Sequence, residues 1–450
     1  MYSSCQKWLD IKSSSSQSLV QTASDCQLLL DNYNLMNVNY PSDGEASADD
    51  YFLTSSGYLD NSLTVEDRGL YTWSASIMRA SATQWQSSYQ IVYQANLILE
   101  TVAKLTNGTT DKTTLNNLKG SALFFRSFAF WQIAQLYAKP YLPATATLDL
   151  GIPLRLSSDV NGISSRGTVA QTYIQIIQDL QTAAQLLQPT SIVSSRPNKA
   201  AAYAMLARTY LSMEDYTNAL INANLALNLH SELIDFNNLD PTTDTPFSPM
   251  FGNTEEIFHS ITYPNLALSA DPSSTNLAKI DSTLINSYAS NDLRKKIFFK
   301  ENSGIDTLTY RFTGNYEPST ASTLFNGLST DELYLTRAEC YARAGNTNAA
   351  MADLNTLLQS RWITDTYIDQ SASTADNALS LILTERRKEL VMRALRWTDL
   401  RRLNHDSRFA KTLTREINGT KYTLPPNDLR YVLLIPNEVI INSKIEQNPR

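Results

Sequence analysis

Cysteine, histidine and charge are all scarce in this 450-residue chain, and each scarcity excludes something. There are three cysteines, Cys5, Cys26 and Cys340. That is too few for a disulfide framework or a cysteine metal site. Cys26 and Cys340 sit in helical patterns beside apolar residues and read as buried thiols. The three histidines, His230, His259 and His405, lie far apart, with no His-Glu-x-x-His pair and no zinc-type spacing. A Gly-x-Ser-x-Gly elbow and a glycine-rich phosphate loop are also missing. Charged residues make up 18%, against a usual figure of about 25%. The formal net charge is -7, which argues against a nucleic-acid surface. No run reaches the roughly 18 apolar residues of a membrane helix. Two adjacent acid pairs, Asp49–Asp50 and Glu255–Glu256, carry little meaning as sequence neighbours. The stretch "PSDGEASADDYF" from Pro41 reads as a solvated acidic turn, and its spacing fits no EF-hand. The expectation is a protein that binds rather than catalyses, without metal or cofactor.

What is present is helical periodicity and neutral polar side chains. Hydrophobic residues make up 42% of the chain, ample for a packed core. Ser, Thr, Asn and Gln replace the missing charges, which suits a secreted or cell-surface protein. Leu118, Ala122, Phe125, Ala129, Ile133 and Leu136 form one stripe at helical spacing, stopped by Pro140 and Pro143. Tyr173, Ile176, Leu180, Ala183 and Leu187 form another. From Asn198, "NKAAAYAMLARTYLSMEDYTNALINANLALNL" predicts a helical hairpin resembling a tetratricopeptide repeat of roughly 34 residues. A second copy stands far downstream in "ELYLTRAECYARAGNTNAAMADLNTLLQ". Between them, residues 232–330 are rich in proline, Asp, Asn, Ser and Thr. "EEIFHSITY" and "TLTYRFTG" are strand candidates there. The aromatics of this insertion point to an ordered region.

One stretch runs against the acidic balance. "TERRKELVMRALRWTDLRRLN", Thr384 to Asn404, carries seven Lys or Arg residues. On a helix these point all around the axis, whereas a nucleic-acid helix gathers them on one stripe. Glu389 and Asp399 lie at pairing distance from arginines. The expectation is one largely buried helix whose arginines bond to carboxylates or carbonyls of neighbouring segments.

Five strings in order resemble the SusD/RagB family of surface lipoproteins: "CQKWLDIK", "LKGSALFFRSFAFWQIAQLYAKPY", "RGTVAQTYIQIIQDLQTAAQLL" with "RPNKAAAYAMLARTYL", "ERRKELVMRALRWTDLRR", and "LLIPNEVIINSKIEQNP". They span nearly the whole chain. The resemblance implies a mostly α fold of tetratricopeptide-like hairpins carrying an irregular, partly β insertion. It implies anchoring outside the outer membrane and a SusC-like TonB-dependent transporter as partner. It also implies capture of an oligosaccharide, or of a peptide, without catalysis. Ser3 and Ser4 before Cys5, with a serine-rich tether after it, mark Cys5 as the expected lipidation site. The expected divisions are 1–20 for anchor and tether, 21–231 for a first helical region, 232–330 for the variable region, and 331–450 for the C-terminal region.

A sugar ring presents apolar faces and polar rims, so aromatic platforms beside amides and charges suit it. Trp131, Trp397 and Trp85 read as packing residues of helices. Trp73 in "RGLYTWSAS" and Trp362 in "QSRWITDTY" look loop-borne. The expected ligand contacts are therefore Trp73 and Trp362, then Tyr71, Tyr263, Tyr310 and Tyr316. The rival readings are a peptide receptor, and a scaffold that binds only proteins.

Overall fold

The computed structural model describes residues 20–162, 165–247, 249–271, 276–318 and 322–450. Cys5 and Trp8 lie outside the described residues. Helices build the scaffold: α1 Thr83–Leu105, α2 Lys112–Tyr137, α3 Val169–Leu186, α4 Lys199–Ser212, α5 Tyr216–Leu227, α6 Thr330–Arg343, α7 Thr347–Gln359, α8 Ala375–Glu389 and α9 Arg396–Leu403. Side-chain caps start most of them. Thr168 and Gln171 form a capping box on α3, and Asp111, Asn198, Asp215, Asn346 and Thr374 each accept a backbone N–H of their helix. Each such cap contributes about 1 kcal/mol. From Gly120 to Tyr137 every residue of α2 is buried, which makes it the central helix of the stack.

The order of packing is α1 on α2, α2 on α3, α3 on α4, then the α4–α5 hairpin against the α6–α7 hairpin, with α8 closing the row. The two repeat-like hairpins, distant in sequence, are therefore stacked neighbours. Both turn through a left-handed residue, Glu214 in the first and Gly345 in the second. The insertion leaves after α5 and returns at α6, where Glu256–Phe258 pairs with Leu328–Ser329. The expected strands are present as Glu256–Phe258 and as Tyr310–Phe312, the latter paired with Phe299–Glu301. Among the described residues all paired strands form two-stranded antiparallel ribbons. This is a mostly α fold with a partly β insertion.

There are two apolar cores. One runs through the helical stack. The second fills the insertion, and it takes Ala46, Tyr51, Leu53 and Tyr71 from upstream and Val391, Met392 and Ile417 from downstream.

Two sequence expectations are corrected here. The acidic stretch at Pro41 is not a solvated turn. Asp43, Glu45 and Asp50 are buried, and Asp43–Ser47 forms a short helix wedged between α2 and α9. Gly44 permits that approach, since a Cβ there would stand 2.8 Å from Leu136 Cδ2. The basic stretch is not one helix either. It breaks between α8 and α9, where Met392 and Ala394 take φ of 57°. The break lets Leu390 and Leu395 pack in the helical core while Val391 and Met392 enter the insertion core.

The expectation of buried, paired arginines holds. Arg386 bonds Asp399 at 2.8 Å, Arg402 bonds Glu339 at 2.6 and 2.8 Å, and Arg393 reaches Asp331 at 3.1 Å. The acidic stretch supplies further partners. Arg396 bonds Asp49 at 2.6 Å and Arg387 bonds Asp50 at 3.3 Å, while Arg79 grips Asp43 through two bonds. Arg401 has backbone partners instead, the carbonyls of Gln135 and Ala138. Burial without a carboxylate lowers its pKa to about 10. The second acid pair is also structural. Glu255 accepts from Arg361 at 2.7 Å and from Tyr316 Oη at 2.6 Å, and Glu256 accepts from Ser194 at 3.0 Å. Cys26 and Cys340 are buried free thiols.

Candidate functional site

Of the six aromatic residues expected at the site, three are buried and three half-buried, and Tyr71 and Trp73 share one neighbour, Arg415. Trp73 is 4% exposed and donates its Nε1–H to the Ser47 carbonyl at 2.9 Å. Tyr71 is 2% exposed and its Oη accepts from Leu53 N at 2.8 Å. The Arg415 guanidinium covers both rings, at 3.7 Å from the Tyr71 centroid and 4.7 Å from that of Trp73. Tyr316 is fully buried, with Arg393 at 3.4 Å over its ring. In these three residues the faces a sugar would need are already covered and the polar atoms already bonded. They are core residues here, not platforms. Trp362, Tyr263 and Tyr310 are half-buried. Trp362 meets Tyr367 edge-on at 5.4 Å, and Tyr310 lies 5.8 Å from the Lys295 ammonium.

A different set of rings lines a groove of about 900 Å³, within the usual range for small-ligand sites. Its floor is the outer face of α1. Trp85, Tyr89 and Tyr93 stand at positions i, i+4 and i+8, which share one helix face. At 1.5 Å rise per residue the rings step by about 6 Å and span about 12 Å. Gln86 and Gln90 run beside them as an amide row. Exposure increases along the ladder. Trp85 is buried and packs at 5.1 Å on both Tyr89 and Tyr137, Tyr89 is half-buried, and Tyr93 is 37% exposed.

Two further segments make the walls. The 153–162 segment is tied to α1, where Tyr89 Oη donates to the Pro153 carbonyl at 2.7 Å and Asn96 Nδ2 to the Arg155 carbonyl at 3.0 Å. Burial pushes the Tyr89 phenol well above its ordinary value, so it stays a neutral donor. Glu100 accepts from Ser158 N at 2.8 Å, and its bonds to Ser158 hold its carboxyl below the usual value. The other wall is the helix Asn437–Ser443 with Lys444 and Ile445. Glu438 Oε2 accepts the Ala82 N–H at 3.0 Å, where α1 begins. This satisfies one of the free donors at that helix end. The groove is thus formed by segments bonded to one helix and is lined by its three aromatic and two amide side chains. That is a geometry for a flat, hydroxyl-rich ligand.

Trp85 was legible as a packing residue. For Tyr89, Tyr93, Gln86 and Gln90 the signal in the sequence is their helical spacing in "WQSSYQIVYQAN". Arg155 and Lys444 carry no local signal, because they meet α1 only through the fold. Among the described residues no group of three His, Cys, Asp or Glu is arranged to hold a metal ion. Among those residues no helix is long and apolar enough to cross a membrane.

The fold and groove define a helical-repeat binding scaffold, and comparison with known proteins places it. A family model described as starch-binding associating with outer membrane matches residues 7–211. The SusD family model matches residues 278–449. The chain belongs to the SusD/RagB family. It is 28% identical over 145 residues to the SusD-like protein P2 of Formosa agariphila, a match covering 32% of this chain and 26% of that protein. The fold is similar to the crystal structure of a SusD superfamily protein from Bacteroides thetaiotaomicron, with a TM-score of 0.78, 23% identity and coverage of 95% of this chain and 100% of that one. It is also similar to surface glycan-binding protein A from Bacteroides uniformis, with a TM-score of 0.72, 15% identity and coverage of 95% and 99%.

Proposed function

We propose that this chain is a cell-surface glycan-binding lipoprotein that captures an oligosaccharide and passes it, uncleaved, to a SusC-like TonB-dependent transporter. The observation that carries the reading is the Trp85–Tyr89–Tyr93 ladder, flanked by an amide row and held in a groove of ligand size. Family membership supports it, since the matching model is described as starch-binding and outer-membrane-associated. Lipidation at Cys5 supplies the anchor in this reading. Each buried lipid methylene contributes about 0.8 kcal/mol, so two or more chains hold a protein at a membrane. Tyr263 and Tyr310 on the insertion, and Trp362 just after α7, are proposed as secondary contacts.

The test is calorimetric titration of the protein with short oligosaccharides, with chromatography of the same samples for cleavage products. Saturable binding, no products and about tenfold weaker binding in Tyr93→Ala are expected. Products would make the protein an enzyme. Capture of peptides with no sugar bound would move the ligand class. Cys5→Ser should move the protein from the membrane fraction to the supernatant; retention would remove the anchor from the account.

A further inference from the structure

Resting on the glycan reading of the same groove, we infer that its ligand is an acidic oligosaccharide, carrying carboxylate or sulfate groups on its rings. The chain is acidic overall, with a formal net charge of -7, yet two cations line this groove, Arg155 and Lys444. The buried arginines of the 384–404 stretch mostly meet carboxylates, as described above. Arg155 and Lys444 form no ion pair among the described residues. Among the described residues Arg155 donates to the backbone carbonyls of Asp159 and Gly162, which fixes its guanidinium on the groove wall. Lys444 is exposed, just beyond the last turn of the Asn437–Ser443 helix, in a left-handed conformation with φ of 58°.

Glu438 lines the same groove and Asp159 lies on its wall segment, but among the described residues neither forms an ion pair with Arg155 or Lys444. Glu438 has one oxygen committed to the Ala82 N–H. Asp159 turns one oxygen to the Asn161 N–H, within its own loop. A ring stacked on Tyr93 with an anionic substituent would therefore meet cations free to pair with it. A partly desolvated guanidinium–anion contact is stronger than a neutral hydrogen bond. It is also screened by salt, with a Debye length of about 10 Å at 0.1 M.

The experiment compares three trisaccharides of matched length, one neutral, one with uronate rings and one sulfated, by calorimetry at 50 and 500 mM NaCl. At low salt an acidic trisaccharide should bind at least tenfold more tightly than the neutral one. High salt should remove most of that preference, and the better of the two acids names the anionic group. Lys444→Gln, an exposed change, should reduce the acidic-over-neutral ratio at least threefold. Arg155→Gln should do the same. Equal or tighter binding of the neutral sugar would overturn this inference and leave the glycan reading standing. A ratio unchanged in both variants would overturn it as well. Binding of none of the three would overturn the glycan reading itself.

Discussion

The seam between residues 41–50 and 386–415 and the groove on α1 are built from the same residue types, put to opposite use. In the seam, aromatic faces are covered by arginines, as Arg415 covers Tyr71 and Trp73. The seam's arginines are in turn mostly consumed by carboxylates such as Asp49, Asp50 and Asp399. In the groove, the Tyr93 face is open, and Arg155 and Lys444 have no carboxylate partner among the described residues. The difference teaches how to read this chain. A ring or a cation is a candidate for function when its partners are missing, not when it sits in a loop or in a basic run.

The largest effect that sharpens the comparison lies in the buried charges. Arg361 joins Glu255 and Glu389, at 2.7 Å each. Arg361→Ala leaves both carboxylates buried with one partner fewer, and removing one member of a buried pair costs about 3–5 kcal/mol. Chemical denaturation should show that loss, or failure to fold. A loss under about 1 kcal/mol would mean that this buried Glu255–Arg361–Glu389 cluster contributes little to the fold.

The next effect is on pH. Burial disfavours a charged His259, but hydrogen bonds to Glu256 at 3.0 Å and to Glu317 outweigh it and raise its pKa to about 9. A histidine raised in the folded state contributes stability that is fully present below its unfolded value of about 6.5. That contribution is lost as pH rises from 6.5 through 9, up to about 3 kcal/mol. His259→Gln should flatten the fall in thermal midpoint over this window; an unchanged profile would show that the proton sits elsewhere.

Smaller effects separate the two sets of rings. Tyr93→Ala should weaken sugar binding about tenfold, ~1.4 kcal/mol, with no change in thermal midpoint. Trp73→Phe should do the reverse. Loss of the hydrogen bond to Ser47 costs about 1 kcal/mol of stability, and affinity should not move. If Trp73→Phe weakened binding and Tyr93→Ala did not, the two sets of rings would have to exchange roles.

Much of the fold was legible because it is local. Ala219, Ala223 and Ala226, and the turns at Glu214 and Gly345, announce helical hairpins in any context. What was illegible depends on distant partners. The acidity of Asp43, Glu45 and Asp50 reads as solvated until α2 and α9 close over them. The break at Leu390–Leu395 was hidden because periodicity assigns one core to a segment, and this one serves two. Asn418-Gly419, a strong turn signal, closes a hairpin of Leu413–Ile417 with Thr420–Leu424 that the hydrophobic pattern alone did not suggest. The site was half legible. The i, i+4, i+8 spacing of Trp85, Tyr89 and Tyr93 lies on the page, but their exposure does not, and Lys444 reaches α1 only at the end of the fold.

The most direct test of the central claim is titration of the protein and of its Tyr93→Ala variant with one oligosaccharide panel, read by calorimetry with product analysis. The account predicts saturable binding without cleavage, weakened about tenfold by the variant at unchanged stability. Binding of equal strength in both proteins would contradict it, because the ligand would then lie somewhere other than the α1 groove.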